Sequence, residues 1–388
     1  MLPRALSNGI CSLTEGETRL TLSVDMIINS KAQVTFSTIY KSVIKSKKQM
    51  TYDKVEQVLN GNAPKDYEPY VQDILLMQEL ALVLKNKREK DGSINFDIPE
   101  TKFVLDSEGE PIELGPYRVG EANNIIEEFM LITNKVVAKT FKEIDAPFIY
   151  RIHEVPDLDK LRELNETLKN MGSSIKGINK IHPKAIATVL EDFKSQDKQY
   201  MIVSKLILRS LKLAKYAPIC LGHFGLNFKD YCHFTSPIRR YPDLFIHRVI
   251  SKYLETGYNL EQREYEKLKN KSEKLAITCS ECEKIATEVE RDFDDLFMAK
   301  YMARHLGEEY EGVISSITSF GMYVKLDNTV EGFVRAADLK DDYYIYNEKD
   351  LTLTGEHTGK VYKIGDDVRI EVFAVNTALR EIDFILSD

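Results

Sequence analysis

The chain has 388 residues, 43% of them apolar and 29% charged, enough for two or three domains with buried cores and too apolar for a disordered polymer. No stretch approaches the ~20 uncharged apolar residues a membrane helix needs, and MLPRALSNGICSL lacks the charged-then-apolar order of a secretory leader. Five cysteines, an odd number, fit a reducing cytoplasm better than a disulfide framework, and a net charge of −8 excludes a basic tail that coats nucleic acid indiscriminately.

The predicted elements begin with strands. Leu20, Leu22, Val24, Met26 and Ile28 alternate with mostly polar partners, and Val34-Thr35-Phe36 starts a return strand after a turn at Asn29-Ser30-Lys31. Thr51 is placed to cap a short helix ending at Asn60-Gly61, and a longer helix runs over 68–90 to Asp91-Gly92. Residues 96–113 read as short strands. Helical periodicity follows over 121–141, 157–170 and 183–194, and a long helical run covers 265–305. The stretch 209–241 is Gly/Pro-punctuated, aromatic and irregular. From about Tyr310 five short β-rich runs, with a long loop between the third and fourth, suit a small OB-type barrel. The expected fold class is α+β: a mixed sheet with helices over 1–305, then a five-stranded OB-type barrel over 306–388.

Charge divides along the same line. Residues 306–388 hold 8 Lys+Arg against 17 Asp+Glu. Residues 204–248 hold eight basic side chains, opposed only by Asp230 and Asp243, with three of the seven histidines. Within that basic centre, Arg239 and Arg240 follow Ser236-Pro237 and offer a fork of donors suited to phosphate. Phe224, Phe228, Tyr231, Phe234 and Tyr241 are interleaved with the charge, a mixture that suits single-stranded RNA. On composition alone a buried Arg–Asp network, such as Arg240 with Asp243, is an equal reading.

The run HFTSPIRRYPDLFIHR resembles the signature of the ribonuclease II/ribonuclease R family of processive 3′→5′ exoribonucleases. LPRALSNGICSL, SKKQMTYDKVEQVL, INFDIPE, IIEEFMLITN and VERDFDDLFMAKYM resemble further landmarks of that family, in its order. INFDIPE and IHPKA are nearer in style to bacterial ribonuclease R than to ribonuclease II. The first part thereby resembles the latter part of an RNB catalytic domain, and the terminal barrel an S1 RNA-binding domain. The resemblance implies a cytoplasmic enzyme that degrades single-stranded RNA to nucleoside 5′-monophosphates, with Mg2+ as cofactor and no membrane partner; a monomer is expected.

Residue by residue, the resemblance implies that Arg239 grips the scissile phosphate, stabilising charge on its oxygens. Tyr52 matches an active-site tyrosine near the 3′-terminal nucleotide, and Glu290 a further active-site carboxylate. Phe96 matches the aromatic that stacks on the terminal base. Glu127 matches a glutamate that reads ribose hydroxyls, and a slip of one place would exchange it with Glu128. Arg240 joins the RNA contacts. In the barrel, Phe320, Tyr323 and Phe333 are a candidate stacking platform, with at least one of them expected to fill the core. Read without the resemblance, Tyr52 is an ordinary helix-start tyrosine, Phe96 a core residue, and the glutamates solvated helix faces.

The same family holds its magnesium with aspartates in a motif upstream of LPRALSN, one Asp followed six residues later by Asp-x-Asp-Asp. This chain starts at LPRALSN, and the expectation is that it grips RNA but lacks the metal ligands and turns over little alone. Asp292, Asp294 and Asp295 copy the spacing, but Ala286 stands where the first Asp belongs, so they read as a solvated acidic face. Cys279 and Cys282 have no second pair and read as structural. The alternative is a non-catalytic RNA-binding protein that keeps the RNA-contacting half of the fold.

Overall fold

The computed structural model describes residues 2–117, 119–348 and 350–387. Strands β1 (Thr18–Ile28) and β2 (Val34–Lys45) form an antiparallel ribbon. Its turn is tied by Asn29, whose Oδ1 accepts from the Lys31 and Gln33 N–H groups at 3.0 Å each. The two-residue period sets Leu22, Val24 and Ile39 against the core.

Helix α1 (Tyr52–Leu59) follows. Thr51 holds the N-cap position, but its side chain makes no cap bond; its N–H donates to Tyr67 Oη instead (3.0 Å). A single 3-10 turn leads into α2 (Val71–Asp91), which ends at Gly92 with φ +102°. A Cβ at Gly92 would stand 2.5 Å from Lys184 Cβ, so glycine alone both turns the chain and lets the next layer of helix approach.

β3 (Glu100–Leu105) and β4 (Pro111–Tyr117) form a second ribbon, and α3 (Glu121–Glu143) then crosses the molecule. β5 (Tyr150–Ile152) pairs with β6 (Lys215–Ala217) around an excursion of three helices, α4 (Leu158–Asn170), α5 (Pro183–Phe193) and α6 (Asp197–Ser210). After an irregular stretch come α7 (Tyr241–Glu255) and the 41-residue α8 (Gln262–Met302). Helices and strands mix as expected, but the strands of this part form three separate antiparallel pairs rather than one mixed sheet. One core gathers Phe141, Phe148, Ile246 and Ile250, with the Phe141 and Phe148 rings stacked at 5.2 Å. A second gathers α4, α5 and α6 around Leu168, Ile186 and Ile207.

Helices α6 and α7 are among the elements the sequence reading left out, as are the three-residue strands β5 and β6. In α6, Ile202, Val203 and Ser204 are buried in succession while Lys198, Gln199, Leu208 and Arg209 are exposed, so burial does not follow a clean apolar stripe. α7 starts directly behind Arg240 with Pro242 in its first turn, inside a stretch dominated by turn residues.

The terminal part is a closed barrel of β7 (Glu309–Thr318), β8 (Gly321–Leu326), β9 (Glu331–Arg335), β13 (Asp367–Asn376) and β14 (Glu381–Leu386). All pairs are antiparallel except β9–β14. The expected loop between β9 and β13 instead holds a three-stranded sheet, β10 (Tyr344–Asn347), β11 (Thr352–Gly355) and β12 (Val361–Lys363). Strands of three or four residues leave too short an alternation to detect. Asp342 staples this sheet by accepting from the His357 N–H (2.9 Å), the Thr358 N–H (2.6 Å) and the Thr358 hydroxyl (2.7 Å). Ala299 and Met302 of α8 and Leu114 of β4 complete the barrel core, so the barrel is seated on the first part.

Candidate nucleic-acid interface

The SPIRRYPD segment is built around one carboxylate. Asp243, in the first turn of α7 and fully buried, accepts from the Ser236 N–H (2.8 Å) and from a two-bond fork of Arg240, Nε to Oδ2 at 2.9 Å and Nη2 to Oδ1 at 2.8 Å. Both arginine N–H groups turn back on the Ser236 carbonyl. Arg240 is thereby committed to an internal ion pair while one side of it stays accessible. Arg239, one residue earlier, is exposed and has no ion-pair partner among the described residues.

Helix α3 separates the two adjacent glutamates. Glu128 is 4% exposed and takes the Arg88 guanidinium of α2 at 2.6 Å, with Arg88 also donating to Ser93 (3.1 Å). Glu127, about 100° round the helix, is exposed. Two turns further on, Asn134 stitches α3 to the arginine segment. Its Oδ1 accepts from the Phe234 N–H (2.9 Å), its Nδ2 donates to Tyr231 Oη (3.3 Å), and its carbonyl accepts from the Cys232 thiol (3.3 Å).

Two concavities meet at Glu127. One, of about 290 Å³, is lined by Tyr52, Asn123, Glu127, Asn134, Tyr231 and Arg240. The other, of about 610 Å³, is lined by Phe96, Asn124, Glu127, Lys184 and Tyr200 among others. The fold therefore gathers Tyr52, Phe96, Glu127 and Arg240 from four separate segments along one groove. Arg239 is not among the lining side chains, because the turn that folds Arg240 back on Asp243 directs its neighbour outward. Glu290 is not in the groove either; it lies on an exposed stretch of α8, where its charge bears on Asp294 beside Glu100. The residues that sequence reasoning missed are Asn134 and Tyr200: Asn134 closes the IIEEFMLITN landmark but has no role assigned there, and Tyr200 lies in α6, a helix that periodicity does not reveal.

The barrel contributes a second surface. Tyr323 of β8 and Phe333 of β9 are paired in register on its outer face, their rings 4.8 Å apart, and Phe320 is 79% exposed at the turn before β8. None of the three belongs to the core, contrary to expectation: Phe384 fills the barrel beneath Gly332, where a Cβ would stand 2.4 Å from its ring. Gly321 fixes that turn, since a Cβ there would lie 2.2 Å from the Val334 carbonyl and 2.8 Å from the Phe333 ring. Lys325 and Glu331 continue the same face into a cleft of about 520 Å³ between the barrel and α6, where Lys205 meets Glu331 at 2.8 Å. Ile98 borders both this cleft and the Phe96 concavity, so the three hollows adjoin one another.

Burial sets the electrostatics behind the groove. It lowers His223 to about 3 and His233 to about 2, with neighbouring cations adding to the shift, and it pushes the Tyr231 phenol up to about 12. These groups are neutral walls at physiological pH. The chemistry on offer is gripping and reading: a guanidinium for phosphate, rings for bases and a carboxylate for hydroxyls. Among the described residues no group of three or more His, Cys, Asp or Glu is placed to hold a metal ion. Of the acidic run on α8, Asp292 pairs with Arg380 of the barrel (2.9 Å), and burial raises Asp294 and Asp295.

A family model for the RNB domain matches residues 1–256, and one for the S1 RNA binding domain matches residues 305–387. The chain belongs to the RNB family. Ribonuclease R of Thermotoga maritima is 41% identical to this RNB chain over 389 residues, covering all of it and 54% of that protein. Ribonuclease R of Escherichia coli is 36% identical over 395 residues, covering all of it and 48% of that protein. The apo structure of Mycoplasma genitalium RNase R matches the fold with a TM-score of 0.93 at 30% identity, over the whole chain and 60% of that protein, and the same protein is known in complex with ribose-methylated single-stranded RNA. The RNB chain thus spans about half the length of the curated relatives it matches.

Proposed function

We propose that this chain is the RNA-gripping portion of a ribonuclease R-type 3′→5′ exoribonuclease that acts on single-stranded RNA in the cytoplasm and releases nucleoside 5′-monophosphates. The observation that carries this reading is the convergence of Tyr52, Phe96, Glu127 and Arg240 on two concavities that meet at Glu127 and adjoin a cleft against the barrel. In it a strand passes from Phe320, Tyr323 and Phe333 along the cleft beside α6, and its 3′ end stops in the groove. Phe96 stacks on the last base, which costs no sequence specificity because every base has a π-face. Glu127 accepts from the ribose hydroxyls, a contact deoxyribose offers in reduced form. Tyr52 borders the terminal nucleotide. Arg240 presents its open side to a phosphate from within its ion pair, and Arg239, free of a carboxylate, adds charge at the mouth. Glu290, exposed on α8 outside the groove, makes no contact with that strand.

Magnesium supplies charge neutralisation and an activated water when bound in this family's chemistry. The described residues do not fit it, since they include no suitable cluster of carboxylates, and no hydrolytic step is assigned to them. The deciding experiment is digestion of 3′-unblocked, uniformly labelled oligoadenylate by the purified 388-residue chain with and without Mg2+, alongside binding of the RNA and the matched DNA. The expected result is RNA-preferring binding with little or no mononucleotide release. Robust magnesium-dependent release would show that the chain holds its own metal ligands, and equal affinity for RNA and DNA would remove the role given to Glu127.

A further inference from the structure

Phe96 sits in a segment without regular structure, residues 93–99, between the end of α2 and the start of β3. Such a segment has no hydrogen-bonded ladder to fix its backbone, yet a stacking ring works only at a set height and tilt. From Asn95 to Pro99, among the described residues, two hydrogen bonds hold the chain, and both end on one atom. The Tyr200 hydroxyl accepts from the Asp97 N–H at 2.9 Å and donates to the Asn95 carbonyl at 3.4 Å, bridging the residues on either side of Phe96. The Tyr200 and Phe96 rings rest on the same apolar cluster.

Tyr200 belongs to α6, which is also the helix the barrel leans on. Lys198 pairs with Asp367 of β13, and Lys205 pairs with Glu331 of β9. A Cβ at Gly365, just before β13, would lie 3.1 Å from Ile202 Cδ1. Positions 198, 202 and 205 follow the i, i+4, i+7 spacing of one helix face. Tyr200 is about 200° round from Lys198, so α6 has the barrel on one side and the Phe96 segment on the other. Glu331 in turn shares the barrel face of Tyr323 and Phe333.

We propose that Tyr200 is the positioning residue of the base-stacking ring, and that α6 transmits the seating of the barrel to Phe96 through it. This rests on Phe96 being the ring that stacks on the terminal base. A tyrosine hydroxyl is suited to the task because it donates and accepts at once, and loss of that one oxygen frees both flanks of Phe96 while leaving the ring to pack.

The test uses the full chain without divalent ions, so that RNA stays intact, and oligoadenylates carrying 2-aminopurine at the 3′-terminal or at an internal position. Fluorescence is read at saturating protein, which separates stacking from affinity. Wild type is expected to quench the terminal probe, and Phe96→Ala to lose that quenching while keeping the internal signal. Tyr200→Phe is expected to cut terminal quenching at least twofold, with the internal signal, the anisotropy-derived affinity and the thermal midpoint close to wild type. Lys205→Met, which breaks the barrel contact without touching the Phe96 segment, is expected to lower terminal quenching in the same direction. If Phe96→Ala keeps the terminal quenching, the stacking reading and this proposal fall together. If Phe96→Ala loses it but Tyr200→Phe does not, the positioning role alone is overturned. An unchanged Lys205→Met signal removes the link from the barrel.

Discussion

Arg239 and Arg240 carry the same group one residue apart, and what separates them is access to a carboxylate. Arg240 neutralises Asp243, which is wholly buried at the start of α7. Truncating it leaves that charge unpaired, so Arg240→Ala is expected to cost roughly 3–5 kcal/mol in urea unfolding. Arg239→Ala touches no partner and is expected to stay within about 0.5 kcal/mol of wild type while weakening RNA retention on filters, more so at low salt. A stability loss for Arg239→Ala, or none for Arg240→Ala, would contradict this division. Glu127 and Glu128 split in the same way. Sequence left a one-place ambiguity between them, and helix geometry alone guarantees only that they diverge. Arg88, forty residues away on α2, decides which one is internal.

Elements with a long, regular alternation of buried and solvated positions were legible and the others were not. The β1–β2 ribbon, α3 and the five barrel strands announce themselves by period because one side meets water. α6 and the β10–β12 sheet lack that contrast, the first being buried at the consecutive positions 202–204 and the second too short. The ribbon also leaves apolar side chains uncovered: Leu20 is 85% exposed and pairs with Val43 at 62%, and Ile27 pairs with Phe36 on the opposite face. Among the described residues neither strand pairs with a further strand, which leaves a template for association. The chain is therefore expected to self-associate with rising concentration in light scattering. Leu20→Lys with Val43→Lys should suppress this without moving the thermal midpoint by more than about 2 °C. Unchanged association in that variant would assign the contact to another surface.

At the scale of the molecule, the basic centre becomes an interior. Residues that read as a nucleic-acid patch are in large part a buried layer of rings, with His153 against His223 at 5.1 Å and Tyr231 against His233 at 5.7 Å. Burial lowers His153, His223, His233 and His247, so each binds its proton more weakly folded than unfolded. Below the unfolded value near pH 6.5 the unfolded chain takes up more protons, and stability falls as pH falls, down toward the folded values of about 3 and 2 at His223 and His233. Between pH 6.5 and 5 those two together are expected to remove about 3 kcal/mol. Urea midpoints across that range test it. A flat profile would mean that these rings are open to water.

Sequence by itself determined the class of elements, the barrel strands and the order of landmarks that mark the RNB family, because periodicity and local motifs are written in consecutive residues. It also marked Tyr52, Phe96 and Glu127, by resemblance, as parts of a site. Only the tertiary structure decided that these three share one groove, that Arg240 rather than Arg239 lines it, that Glu290 stands apart, and that the barrel's aromatics face outward. The reason is physical: accessibility and pairing depend on which distant segment arrives beside a side chain. Asp243, Arg88, Phe384 and Tyr200 reach their partners only through folding.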